Sequence, residues 1–188
     1  MRELIQSCID GSRAAIDSLE RQIDAVESAA DLVVRTFRNG NKVLTAGNGG
    51  SAAEAMHFSE EAIGRFRGNR RPLPAVCLSA DGTAITCISN DFGYDQVFAR
   101  QVEGLGAPGD LLVLFSSSGN SRNLLLALEA AAGIGMKTLA IIGKTGGLLA
   151  GKADIQILIE GTDSGRIQEA HQLLMHILLD AVEHAFPN

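Results

Sequence analysis

Apolar positions in the first forty residues recur at threes, fours and sevens. Ile5, Ile9, Ile16, Leu19, Ile23 and Val26 form one stripe of an amphipathic helix. A second stretch over 29–37 ends at Asn39-Gly40, a helix-stop signal. A helical pair ahead of the main body must dock on the core or on another subunit, so the stripe points toward oligomerisation.

Beyond residue 40 the rhythm changes. Five short apolar runs, 42–46, 73–78, 110–115, 138–142 and 155–159, are rich in Val, Ile or Leu without strict alternation. That pattern suits strands buried on both faces of a parallel sheet. Helical stretches are predicted over 51–63, 81–102 and 121–134, with a short turn at 147–151 and a final helix over 166–185. Alternating strand and helix predicts an open α/β sheet with right-handed crossovers. Such sheets bind ligands beyond the carboxyl ends of their strands. No repeat, low-complexity segment or interdomain linker appears, so one domain over 1–188 is expected, with N-terminal helices over 1–40 and an α/β core over 41–188.

Composition narrows the function. The chain has 188 residues and 46% hydrophobic residues, enough for a full-sized core. No run of eighteen apolar residues marks a membrane span, and the start is too mixed in polarity for a signal peptide, so a cytoplasmic location is expected. Three cysteines, Cys8, Cys77 and Cys87, read as free thiols of a reducing compartment. A net charge of -6 argues against a general nucleic-acid binder. Arg65, Arg67, Arg70 and Arg71 form a basic cluster, either a solvated loop or an anion-handling rim.

Two loops following strands carry candidate chemistry. Gly47-Asn48-Gly49-Gly50-Ser51 sits directly before a helix, and Ser51 with Glu54 has capping-box spacing. It reads equally as a tight turn or as a ligand loop. Ser116-Ser117-Ser118-Gly119-Asn120-Ser121 places four hydroxyls at a helix N-terminus, where free N–H groups and the helix dipole favour a phosphate. No lysine follows at Walker A spacing, which argues against a nucleotide P-loop. His57 and Glu61, four apart, face the same way on their helix and can chelate a metal or form a surface pair. Gln168 and His176, eight apart, are separated by a rise of roughly 12 Å. They would share an ion by leaning together or from different subunits.

Taken together, these segments resemble the phosphoheptose isomerase family of the sugar isomerase (SIS) class. The matching stretches are the Gly47 to Ser51 loop, Ala55-Met56-His57-Phe58 with Glu60-Glu61, Asn90-Asp91-Phe92-Gly93-Tyr94, the Ser116 to Ser121 loop, and Arg166-Ile167-Gln168-Glu169 with His176. Gly143-Lys144-Thr145-Gly146-Gly147 and Ala150-Gly151-Lys152-Ala153-Asp154 also match. The resemblance implies a flavodoxin-like SIS fold with a five-stranded parallel sheet, and a homotetramer with sites at subunit interfaces. It also implies conversion of sedoheptulose 7-phosphate to D-glycero-D-manno-heptose 7-phosphate through an enediol. Carried onto this chain, one Zn(2+) per subunit would be held by His57, Glu61, Gln168 and His176. Isomerisation needs a base at carbon and an acid at oxygen, and on that ground Glu61 is expected to serve as base and His176 as its acid partner. The substrate would touch Asn48, Gly49, Gly50, Ser51, Asn90, Asp91, Ser116, Ser117, Ser118, Ser121 and Gln168. Family members often carry an acidic residue just before Arg-Ile-Gln-Glu; here it is Gly165, with Asp163 two residues earlier. Two non-enzymatic classes resemble the chain as well. The bacterial replication-initiator-associating protein is a scaffold that typically lacks the Glu61 and His176 equivalents; both are present here. A SIS sugar-phosphate sensor would keep the serine loop without needing the metal set.

Overall fold

The computed structural model describes residues 1–187. Five parallel strands, β1 (Val43–Gly47), β2 (Ala75–Cys77), β3 (Leu111–Ser116), β4 (Lys137–Gly143) and β5 (Ile155–Ile159), pair in the order β2-β1-β3-β4-β5. The winding reverses between β1 and β3, so the crevice over their carboxyl ends is the position where open α/β sheets bind ligands. β1 and β3 are buried along their whole length, which is why their sequences run apolar without alternation. Successive residues still serve opposite faces: Leu111, Val113 and Phe115 enter one core, Leu112 and Leu114 the other.

The first core is covered by α1 (Arg2–Glu20), α2 (Ile23–Arg38), α3 (Gly50–Ile63) and α7 (Ser164–Ala185). The second is covered by α4 (Gly82–Phe92), α5 (Ala99–Leu105) and α6 (Arg122–Ile134). This is the expected SIS architecture, with several boundaries moved. The break in the N-terminal pair falls at Arg21 and Gln22, so Ile23 and Val26 belong to α2. Gln22 explains the position: its Nε2 donates to Leu158 O at 2.7 Å, and its Oε1 accepts from Leu158 N–H at 3.0 Å. Its side chain thereby satisfies part of the β5 edge. The strand expected over 73–78 shrinks to three residues because Pro72 and Pro74 cannot donate to a ladder. The helix expected over 81–102 splits at Gly93, whose φ of 88° ends α4 before a 3-10 turn and α5.

The N-terminal pair docks on α7 and β5, with Ala15, Leu19, Val26, Ala29 and Val33 buried. Of the apolar stripe, only Leu19 and Val26 turn inward; Ile5, Ile9, Ile16 and Ile23 remain exposed.

The amino-terminal edge of the sheet is fastened by Asp110. Its carboxylate accepts from Lys42 N–H at 3.0 Å, from Ala107 N–H at 2.9 Å and from Lys42 Nζ. Burial raises its pKa, but those hydrogen bonds and the lysine charge outweigh burial and hold the carboxyl below the ordinary aspartate value. A depressed pKa gives stability that is present above the unfolded value near pH ~4 and is lost as pH falls through the folded one. We expect Asp110→Asn to cost about 1–3 kcal/mol at pH 7 and to lessen the loss of stability on acidification. Urea melts at pH 7 and below pH ~4 check this; a wild-type-to-variant gap equal at both pH values would contradict it.

Candidate active site

One cleft opens over the carboxyl ends of β1 and β3, and a second lies between two helices. The smaller, about 160 Å³, is lined by Asn48, Ser51 and the serines at 116, 117, 118 and 121. The serine loop braces itself: Ser116 Oγ accepts from Gly119 N–H at 3.0 Å, and Ser118 Oγ from Asn120 N–H at 3.2 Å. Ser121 is the N-cap of α6 and makes no side-chain cap bond, so the first N–H groups of that helix are not taken up by it. The loop after β4 presses against it from behind. A side chain at Gly119 would collide with the Gly146 carbonyl, and one at Gly143 with the Ser117 carbonyl.

Asn48 reaches the same cleft from the glycine loop and is held rigidly. Its amide exchanges reciprocal 3.0 Å hydrogen bonds with the buried Asn123, and its Oδ1 accepts from Tyr94 Oη at 2.7 Å. The capping box expected at Ser51 and Glu54 does not form. Gly49, at φ 57°, is the N-cap, Ser51 lies inside α3, and Glu54 is drawn into the core by a partner on α7.

The larger cleft, about 500 Å³, runs between α3 and α7, with Gly50, His57, Gly165, Gln168, Glu169 and Gln172 in its walls. His57 Nε2 lies 3.2 Å from Glu61 Oε1, and the pair is partly buried rather than on open surface. The His176 ring approaches the His57 ring edge-on, with centroids 5.4 Å apart. Helices separated by a hundred residues thus bring His176 against His57, which itself contacts Glu61, within one chain. Gln168 lies farther toward the start of α7, its amide against Gly50. The amide that touches His57 is Gln172, whose Nε2 donates to His57 Nδ1. Phe66 stacks on the His176 ring, with centroids 5.5 Å apart.

These groups suit a divalent cation of zinc type. Imidazole and carboxylate are ordinary zinc donors, and ligand atoms of His57, Glu60 and Glu61 lie within 4.8 Å of one another. Glu60 is the exposed member of that group, and sequence reasoning passed over it. It also missed Gln172, which stands one turn from both Gln168 and His176 and so was readable from helical spacing. Phe66 lies in an irregular loop that carries no periodic signal.

Three members of the arginine cluster, Arg65, Arg67 and Arg71, are exposed as in a solvated loop, and the fourth is not. Arg70 is buried; its Nε donates to Glu183 at 2.7 Å, Nη1 to Ala62 O at 2.9 Å and Nη2 to Glu61 O at 2.8 Å. It therefore satisfies the last carbonyls of α3 and ties the Glu61 backbone to α7. Arg67 grips Asp180 with two bonds, and Arg71 lies over Phe186. Asp163 caps α7 through Oδ1, which accepts from Gly165 N–H at 2.7 Å and Arg166 N–H at 3.1 Å. Those backbone bonds hold its carboxyl below the ordinary value. That oxygen is committed to the helix start, and the cleft wall at position 165 is bare glycine. Asn90 and Asp91 are exposed on α4, hydrogen-bonded to each other at 2.7 Å, and line neither cleft.

A family model for the SIS domain matches residues 9–143. A phosphoheptose isomerase of Geobacter sp. (strain M21) is 49% identical over 85% of this chain and 83% of its own. Two solved structures superpose over 97% of this chain. A phosphoheptose isomerase from Francisella tularensis gives a TM-score of 0.92 at 34% identity, over 97% of its chain. One from Neisseria gonorrhoeae gives 0.91 at 37%, over 98% of its chain.

Two glycine substitutions separate site geometry from fold. In Gly50→Ala the atoms nearest the new Cβ all belong to the flexible end of Gln168, so stability should stay within about 0.5 kcal/mol of wild type while that amide is displaced. In Gly119→Ala it meets a backbone carbonyl at a φ of 67°, and we expect a loss of about 1–3 kcal/mol. Thermal melts of both variants test the contrast; equal losses would refute it.

Proposed function

We propose, from the premise that this chain belongs to the phosphoheptose isomerase family of SIS-domain proteins, that it converts sedoheptulose 7-phosphate to D-glycero-D-manno-heptose 7-phosphate through an enediol. As a member of that family it is a sugar-phosphate isomerase. The observation that carries the specific proposal is the contact of His57 with both Glu61 and His176, on the helix whose Ser51 lines the serine pocket. A scaffold or a sensor has no need of that convergence.

The phosphate is assigned to Ser116, Ser117, Ser118 and Ser121 with the N-terminus of α6, a cradle of hydroxyls and N–H groups suited to a dianion. Asn48, Gly49, Gly50 and Ser51 complete it from the glycine loop. Ser51 and His57 are six residues apart on α3, about 9 Å along its axis. An extended sugar chain with its phosphate at the far terminus spans such a gap. Gln168 is assigned to the sugar, and so are Asn90 and Asp91, which line neither cleft of their own chain and would reach the sugar from a neighbouring subunit.

Isomerisation moves a proton between adjacent carbons and needs a base at carbon, an acid at oxygen and stabilisation of the developing oxyanion. Glu61 takes the proton from one carbon and returns it to the next. His176 delivers a proton to the carbonyl oxygen and receives one from the neighbouring hydroxyl. We assign one zinc ion per subunit to His57, Glu61, Gln168 and His176, with Gln168, whose amide lies against Gly50 in its own chain, reaching the ion by leaning or from a neighbouring subunit; when bound the ion would supply Lewis-acid polarisation of those oxygens. A carboxylate held tightly by a cation is a weaker base. Glu61 has two oxygens, and Oε1 alone is engaged with His57, which leaves Oε2 for the proton. Gln172, an amide, can donate to or accept from His57 Nδ1, and so orients the ring in either tautomer.

We further assign the reaction to the cytoplasm, in keeping with three free thiols, and the working form to a homotetramer with sites at subunit interfaces. No helix among the described residues is long and apolar enough to cross a membrane. Support for assembly comes from the exposed Leu4, Ile5, Ile9 and Ile23. A groove of about 290 Å³ lies beside them, between Ile16, Ile23, Leu173 and Ile177. Apolar surface of this kind on a water-exposed helix marks an interface.

Glu61→Gln should lower kcat by about 10²–10⁴-fold, with KM changed far less, whereas Glu60→Gln should stay near wild type. Aldose formation from sedoheptulose 7-phosphate reads both, and a Glu61→Gln protein at the wild-type rate would sink the base assignment. Full turnover in a verified metal-free preparation would remove zinc from the proposal. Light scattering tests the assembly: wild type should run as a tetramer and Ile9→Lys as a smaller species, while a wild-type monomer would overturn the assignment.

A further inference from the structure

α3 and α7 each bury one ionisable side chain where their apolar faces meet the core. The buried face of α7 is Ile167, Ala170, Leu174, Met175, Leu178, Leu179 and Val182, interrupted by His171, which is 0% exposed. The buried face of α3 includes Ala55, Phe58 and Ala62, and is interrupted by Glu54, 5% exposed. The two meet, with His171 Nδ1 lying 3.2 Å from Glu54 Oε2. Their outer atoms, Glu54 Oε1 and His171 Nε2, are buried with no hydrogen-bond partner.

Such a pair is a poor device for stability. Desolvation of two ionisable groups offsets most of their attraction, and the two unpaired atoms add a further cost. An apolar pair of the same volume would hold the helices together at least as firmly. It would not hold them at one register, since apolar contacts permit sliding that a directional hydrogen bond forbids. Glu54 lies one turn before His57 on α3, and His171 stands beside Gln172 and three residues after Gln168 on α7. The His171 ring also packs on Phe115, with centroids 6.2 Å apart, and Phe115 directly precedes the serine loop.

We propose that Glu54 and His171 are positioning residues. Their hydrogen bond sets the register of α3 against α7, and with it the approach of His176 to His57 and Glu61. Through Phe115 the same register is tied to the serine loop. This rests on the reading of the interhelical cleft as the isomerase site.

The test compares wild type, Glu54→Gln, and the double variant Glu54→Met with His171→Leu. Three quantities are measured: melting temperature, kcat and KM with sedoheptulose 7-phosphate, and the imidazole ¹⁵N–¹H NMR signals of His57 and His176. The double variant should melt at or above the wild-type temperature and lose about 10- to 100-fold in kcat, with KM changed about threefold or less. Its His57 and His176 signals should move. Glu54→Gln keeps a hydrogen bond without the charge, and should hold kcat within about threefold and leave those signals in place. A double variant that fails to fold, or that folds with unmoved imidazole signals, overturns the proposal. So does a Glu54→Gln protein as impaired as the double variant. If wild type shows no turnover, the isomerase reading falls while the imidazole spectra still decide the positioning claim.

Discussion

The contact of α3 with α7 is the constraint from which the site follows. α3 starts where β1 ends and α7 returns over the same face of the sheet, so their meeting sets where His57 and Glu61 face His176. Arg70 fastens the far end of that contact: its guanidinium takes the final carbonyls of α3 and the Glu183 carboxylate of α7. With Nη1 also donating to Arg71 O, this buried cation is well satisfied, the condition under which a buried charge is tolerated. Removing either partner would strand the other in a dry interface, so the tie is specific as well as strong.

Close backbone approach does the corresponding work at the serine loop. Gly119 and Gly143 sit where any Cβ would strike a neighbouring main chain, and the loops after β3 and β4 therefore nest as one body. A hydroxyl cradle recognises a phosphate only if its donors are held in place beforehand, because each donor that must be ordered on binding costs conformational entropy. Asn48 is preorganised by a different device, a reciprocal amide pair with Asn123 capped by Tyr94. The serine cleft thus lies at the strand-order reversal between β1 and β3 and the other cleft between α3 and α7, and each is stiffened separately.

Much of this was legible in the sequence, for physical reasons that differ by element. The central strands were readable because a strand buried on both faces must be a continuous apolar run, as 111–115 is. The His57–Glu61 pair followed from the helical repeat alone. Convergence of two distant helices is a tertiary fact, and local spacing left it open between one chain and two. The reading of Ser51 and Glu54 as a capping box failed because tertiary pairing outbid local capping: Glu54 had a histidine to meet in the core. Within the basic cluster, whose other three arginines stay exposed, Arg70 departs in the same direction. Its partner, Glu183, lies more than a hundred residues away and gave no local sign that Arg70 would be buried. Both misses are polar residues that the core takes in, which binary patterning assigns to the surface by default.

The same pairing bears on how a chain of net charge -6 can hold a dianionic sugar phosphate. Arg67 and Arg70 are neutralised by carboxylates of α7, and neither lines the serine pocket. The proposed cradle is built instead from hydroxyls, an amide and the N-terminus of α6, all formally neutral. Fixed dipoles act over short range and depend on geometry, whereas mobile surface cations act over a Debye length and are screened by salt. Affinity from such a cradle should depend little on ionic strength and steeply on the shape of the loop. Discrimination among sugar phosphates would then lie with the carbon chain, measured along α3 from Ser51 to His57, and the phosphate would serve as the fixed end from which that length is taken.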